Sequence, residues 1–165
     1  MIVFAYGSNM SINRIRQRAP SAQKIANVYV NGYHFAFNKF STEDLSGKGN
    51  ISMTENDQDS VWGVLFNIDD NEIPALDRAE GGYHRIQVTC YVEENSPFIA
   101  EAYVANANRI NNSLRPLDWY KLFVVGGAIE NNLPQDYINS IEQFDTDIDE
   151  NQERRQRNLD ILNTG

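Results

Sequence analysis

One cysteine and two histidines are all the soft metal-binding chemistry in these 165 residues. Cys90 alone closes no intramolecular disulfide. Histidines as far apart in sequence as His34 and His84 give no metal-ligand spacing, so no metal or other cofactor is expected. Nowhere do ~18 apolar residues run together, so no membrane-spanning helix is expected. Positive charge is scarce too: 14 Lys and Arg stand against 23 Asp and Glu, a net charge of -9. An acidic surface repels phosphate backbones, which argues against a nucleic-acid partner unless basic residues cluster on one face. The opening Met-Ile-Val-Phe-Ala-Tyr-Gly has neither a basic leader nor a long apolar stretch, so no secretory signal is expected and the cytoplasm is the expected location.

What is present fits one globular domain. The length leaves no room for two full domains at roughly 150 residues each. A 41% hydrophobic and 11% aromatic content is enough for a core that needs no disulfide or structural metal.

Residues 2–6 form a short apolar run stopped by Gly7, the pattern of a buried strand. Ser11 then stands where an N-cap would open a short polar helix over 12–18, ended by Pro20. Val28 and Val30 alternate on one face, and Tyr33, Phe35 and Phe37 on another. The odd step between them at Asn31-Gly32 reads as a bulge or as a hairpin turn. The polar stretch 41–50 reads as a loop. Three more alternating strands carry Trp62, Val64, Phe66 and Ile68, then Ile86, Val88, Cys90 and Val92, then Phe98, Ala100, Ala102 and Val104, with a helical segment over 71–80. Residues 116–129 are too densely apolar for an exposed helix, and Tyr137, Ile138, Ile141 and Phe144 recur at helical spacing after Pro134. Residues 145–165 run from acidic to basic with few apolar anchors, a loosely held terminal helix outside the main domain of 1–144. Strands with short helices and then closing helices give an α+β class, with a largely antiparallel or barrel-like sheet.

Two stretches carry candidate chemistry. Tyr6-Gly7-Ser8-Asn9 lies at the exit of the first strand. A glycine there allows unusual backbone dihedrals, and consecutive amides converge on an anion such as a carboxylate, although the same residues also make ordinary turns. In Leu76-Asp77-Arg78-Ala79-Glu80-Gly81-Gly82, residue 80 shares a helical face with Ile73 and Leu76. A carboxylate on an apolar face, at the negative end of a helix, opposes its surroundings twice and marks a site. The competing reading turns Glu80 outward beside Arg78 or Arg85. Cys90 lies on an apolar strand face as inert packing, Ser8 has no evident histidine base, and Tyr33, Tyr83, Tyr103 and Tyr120 are core or pocket phenols.

Phe4-Ala-Tyr-Gly-Ser-Asn-Met10, Arg14-Ile15 and Arg18-Ala-Pro-Ser-Ala22 together resemble the start of the γ-glutamylcyclotransferase family. The likeness continues through Val61-Trp-Gly-Val64, Leu76-Asp-Arg-Ala-Glu-Gly81, Gly126-Gly-Ala-Ile-Glu-Asn131, Leu133-Pro134 and Tyr137, in family order from about residue 3 to residue 144. It implies a small β-barrel with helices around it and a cytoplasmic enzyme of glutathione metabolism. That enzyme cleaves a γ-glutamyl amide by attack of the substrate's own α-amine, releasing 5-oxoproline and an amino acid or amine. On matching positions, Tyr6, Gly7, Ser8, Asn9 and Met10 would cradle the γ-glutamyl group and Glu80 would be the catalytic carboxylate. Tyr120 would line the pocket, with Tyr103 a weaker match. Asn9 favours the branch acting on γ-glutamyl amino acids over the γ-glutamylamine branch, which has Tyr-Gly-Thr-Leu in this loop. The stretch Gly82-Tyr-His-Arg85 is shorter than in some members and leaves the leaving-group side open. Removal of a γ-glutamyl protecting group and a non-catalytic binding module on the same fold are the rivals. The oligomeric state, a homodimer included, is not fixed by the sequence.

Overall fold

The first strand, β1 (Ile2–Ala5), already serves two interiors. Phe4, with Tyr6 just beyond the strand, joins a cluster with Val28, Val30, Val61, Leu65, Val88, Cys90, Ala100 and Ala102, while Val3 and Ala5 join a second cluster built with the helices. The period of two along a strand sends alternate side chains to opposite faces, which is how a closed sheet fills its inside and still packs helices outside.

The computed structural model describes residues 1–92 and 97–163. Five strands close the barrel in the order β1-β5-β2-β6-β7, the others being β2 (Gln23–Asn31), β5 (Ser60–Asn67), β6 (Tyr83–Tyr91) and β7 (Pro97–Ala105). All pairs are antiparallel except β1 with β7, which closes the barrel in parallel with Val3 opposite Glu101. The helices are α1 (Ile12–Arg16), α2 (Ile73–Ala79), α3 (Asp118–Glu130), α4 (Gln135–Glu142) and α5 (Gln152–Asn163). No described helix is long and apolar enough to cross a membrane. The α+β class and barrel hold. On α3, Trp119, Tyr120, Phe123, Val124 and Val125 are buried, whereas Leu122 and Ile129 are exposed.

Four local expectations need correction. The step at Asn31-Gly32 is neither bulge nor hairpin. There the chain leaves the barrel for a two-stranded arm of β3 (Tyr33–Phe40) and β4 (Gly47–Met53), and Gly32 takes the φ of +74° that the exit requires. The stretch 41–50 is a loop only in part, because β4 starts at Gly47. That strand has no apolar alternation to announce it, and its first residue is pressed so closely on β3 that a Cβ would lie 2.1 Å from the Phe37 carbonyl oxygen. Ser11 opens α1 without capping it through its side chain, and α1 stops at Arg16.

The C-terminal segment is anchored rather than loosely held. Asp118 N–H donates to the Asp147 carbonyl and Asp147 N–H to that of Pro116, at 2.9 and 3.0 Å. Asp149, 1% exposed, accepts from Trp119 Nε1 at 2.8 Å and from both Nε and Nη2 of Arg154 at 2.7 and 2.6 Å. Those bonds, Arg154's foremost, hold its carboxyl down to about 2. Arg155 pairs with Asp118 at 2.7 Å. The tail therefore braces the start of α3, where Trp119 and Tyr120 stand.

The arm is held by aromatic edges. Phe37 packs edge-on against Phe144 and Tyr120, with ring centres 5.1 and 6.1 Å apart, and Phe35 packs edge-on against Phe144. This brings Gly49 of β4 over the mouth of the barrel.

Candidate active site

A cavity lies where the chain leaves β1, roofed by Gly49 and walled by Tyr6, Gly7, Ser8, Asn9, Glu80, Tyr83, Tyr103 and Tyr120. The phenols are braced before any ligand arrives. Tyr6 donates to the Tyr103 carbonyl, Tyr103 donates to Asp77 Oδ1 at 2.7 Å, and Tyr83 donates to the Gly49 carbonyl at 2.7 Å. Tyr120 Oη accepts from Gly49 N–H at 3.1 Å. Burial raises the pKa of all four, with nearby negative charge, Glu80's included, adding to it, so each stays protonated at neutral pH. Tyr33 is not among the lining residues.

Residues 8–10 form a 3-10 turn whose internal bond runs from Met10 N to Gly7 O at 3.0 Å. The amides of Ser8 and Asn9 have no acceptor within that turn. Met10 is brought elsewhere: its side chain is fully buried, its N–H is spent within the turn, and its carbonyl accepts from Asn131 Nδ2 at 3.0 Å. It supports the loop from behind and does not line the cavity. Gly7 has φ -112° and ψ -142°, and a Cβ there would sit 3.8 Å from Tyr120 Oη, on the cavity side. Glycine keeps space open here.

Glu80 follows α2 as its C-cap, its N–H bonded to Leu76 O at 2.9 Å, and Gly82 at φ +87° turns the chain away into β6. Its side chain is 12% exposed. Neither Arg78 nor Arg85 pairs with it; Arg85 pairs with Asp77 at 3.0 Å. Instead Oε1 accepts from Asn9 Nδ2 at 2.8 Å and from Arg18 Nη1 at 2.8 Å, and the same Nη1 donates to Asn9 Oδ1 at 2.7 Å. Oε2 makes no hydrogen bond to a described residue and is not sealed in. One carboxylate oxygen is thus fixed in a triangle of groups while the other is left for a ligand.

Asn9 therefore points at Glu80 as well as lining the cavity. In the sequence Arg18 stands out only as part of a motif; its partner lies 62 residues away, and no local pattern announces the pairing. Neither His34 nor His84 lines the cavity, so Ser8 has no imidazole beside it. Cys90 sits inside the barrel, where burial lifts its thiol to about 12. Among the described residues no group of three His, Cys, Asp or Glu side chains is placed to hold a metal.

Comparison with known proteins agrees in fold and sequence. The model of the AIG2-like family matches residues 60–141. Gamma-glutamylcyclotransferase of Bos taurus is 31% identical over 153 residues, spanning 87% of this chain and 80% of that protein. The Homo sapiens gamma-glutamylcyclotransferase is 28% identical, over 82% of this chain and 74% of its own length. A solved gamma-glutamyl cyclotransferase superposes with a TM-score of 0.86 over 100% of this chain and 99% of that one, at 24% identity, a likeness of fold. A crystal structure of a human protein described as uncharacterized superposes at 0.82, with 26% identity, over 98% of this chain and 97% of its own.

Proposed function

The chain belongs to the γ-glutamylcyclotransferase family, and from that premise we propose that it cleaves γ-glutamyl amides by intramolecular cyclisation, with Glu80 as the proton-transfer group. The observation that carries the reading is the state of the Glu80 carboxylate: the residue lines the cavity, Oε1 is held by Asn9 and Arg18, and Oε2 makes no hydrogen bond to a described residue.

The substrate's α-amine attacks its own γ-carbonyl carbon. A C–N bond forms to close the five-membered lactam, and the amide C–N bond to the departing amine breaks. The products are 5-oxoproline and a free amine or amino acid; no water is consumed and no electron changes hands. The nucleophile belongs to the substrate, so what remains for the protein is orientation and proton transfer. Holding the chain curled for attack is worth roughly 7–11 kcal/mol of the barrier in well-oriented intramolecular reactions. The Tyr6-Gly7-Ser8 loop, with Tyr120 opposite, is suited to that holding, since Gly7 leaves room and the turn's amides offer donors to the substrate's α-carboxylate. Tyr103 contributes its ring, its hydroxyl being engaged with Asp77 and its carbonyl with the Tyr6 hydroxyl.

The attacking nitrogen must shed a proton and the leaving nitrogen must gain one. Glu80 Oε2 takes the first and returns the second, so one carboxylate is base and then acid. Asn9 serves as a positioning residue for Glu80, and Met10 for the loop. Assay of 5-oxoproline release from a panel of γ-glutamyl amino acids and γ-glutamylamines tests the reading. Release from at least one class supports it, and none from any contradicts it.

A further inference from the structure

Beside Glu80 the cavity widens into a basin whose cations are Arg14, Arg18, Lys39, Lys48, Arg78 and Arg109, while its acids are Glu43, Asp44 and Glu80. So cationic a wall is unexpected on a chain of net charge -9. Two of the charges cancel internally: Arg18 pairs with Glu80 at 2.8 Å, and Lys48 with Asp44 at 2.6 Å. The remaining four cations face Glu43, which is exposed.

Two of these four are costly to leave alone. Lys39 is only 8% exposed, yet its ammonium has no hydrogen bond or ion pair to a described residue. It lies 4.7 Å over the Tyr83 ring, and its Nζ would be 3.4 Å from a Cβ at Gly82, two residues past Glu80. Arg14 stacks on Phe123 at 4.3 Å with a buried Nε that has no partner. Burial, and then the charge of Arg18, lower it to about 10, which still leaves it a cation at neutral pH. Neither is ion-paired with a carboxylate of a described residue, and a largely buried cation gains from a ligand that supplies one.

We propose that this basin is the leaving-group subsite, built for an amine bearing two carboxylates, so that the preferred substrates are γ-glutamyl amides of dicarboxylic amino acids. The inference rests on the cyclotransferase reading, because Glu80, with Ser8, Tyr83 and Tyr120, lines both the basin and the γ-glutamyl cavity. One α-carboxylate would leave most of the excess positive charge unmatched. A second carboxylate brings an ion-pair partner to Lys39. An amine with no acid group would leave all of it exposed to the ligand, and a cationic amine would be repelled.

The test compares 5-oxoproline release from γ-glutamyl-aspartate, γ-glutamyl-alanine and γ-glutamyl-ethylamide by the wild-type chain and by Lys39→Met, which keeps the length and removes the charge. The expected order of kcat/KM is aspartate, alanine, ethylamide, with roughly tenfold for each carboxylate, the lower end for a hydrogen bond to a charged group. Lys39→Met should erase about tenfold of the aspartate advantage, mainly through KM. Equal kcat/KM for the aspartyl and ethylamide substrates overturns the subsite and leaves the cyclotransferase reading standing. Calorimetric titration with free L-aspartate and L-alanine supplies a readout without turnover. Tighter binding of aspartate, weakened in Lys39→Met, supports the subsite even if no substrate is cleaved, whereas equal binding of the two overturns it. If Lys39→Met does not fold, the wild-type substrate order and the wild-type titrations decide alone.

Discussion

Arg18 Nη1 stands 2.8 Å from Glu80 Oε1, a contact made across 62 residues of sequence, and it holds one oxygen of the carboxylate while the other has no hydrogen-bond partner among the described residues. The guanidinium also grips Asn9 Oδ1, so the loop after β1 and the end of α2 are locked together through one nitrogen. The role proposed for Glu80, proton transfer, needs a fixed orientation, and this triangle fixes one oxygen of its carboxylate.

Arg18→Met removes both bonds while keeping side-chain bulk. A hydrogen bond to a charged group is worth about 1.5–3 kcal/mol, so kcat should fall roughly 10–100-fold with KM little changed. Arg18→Lys should restore part of it, since an ammonium reproduces the charge without the planar fork. Steady-state kinetics of the two variants check this; wild-type kcat in Arg18→Met would reduce the residue to a structural brace.

Gly7→Val places methyl groups beyond a Cβ that already lies 3.8 Å from Tyr120 Oη. Apart from its chain neighbours, no backbone atom lies within 4 Å of that Cβ, so the fold should survive. Overpacking of about 1–3 kcal/mol should appear in substrate affinity, raising KM roughly tenfold, with Gly7→Ala milder. A melt and a KM measurement on each variant decide; an unchanged KM in Gly7→Val would mean the loop is only a turn.

Asp149 governs acid stability. Its folded pKa of about 2 lies below the ordinary carboxylate value of 3.8, first because of Arg154. Its contribution is therefore complete above about pH 4 and is lost as pH falls toward 2, worth about 2 kcal/mol. Asp149→Asn should lower Tm at neutral pH by roughly 4–8 °C, and the gap between variant and wild type should close below pH 2. Thermal melts across that range check it; a gap independent of pH would contradict it.

The strands with one apolar face were legible. Trp62, Val64 and Phe66 on β5, or Ile86, Val88 and Cys90 on β6, announce themselves by alternation, and the clusters they enter follow. β4 did not, because Gly47-Lys-Gly-Asn is chosen for close approach and for bonds made by Asn50 and Gly49, not for an apolar face. Glu80 could be singled out because a carboxylate in phase with Ile73 and Leu76 contradicts its surroundings. Arg18, Lys39 and Asp149 could not: each looks like a solvated charge until distant chain buries it. Gly7 invited a backbone argument, and the space it leaves beside Tyr120 is a reason the sequence does not show.

The proposed function turns on proton transfer by Glu80, and Glu80→Gln tests it most directly. Glutamine keeps an acceptor for Asn9 and Arg18 but exchanges no proton at neutral pH. Arg18 then faces a neutral partner, so Tm should hold or fall slightly rather than rise. With a γ-glutamyl substrate that the wild type cleaves, the kcat for 5-oxoproline release should drop by about 10²–10⁴, with KM near wild type. A folded Glu80→Gln chain retaining more than about a tenth of wild-type kcat falls short of any general acid–base contribution and would take Glu80 out of the reaction.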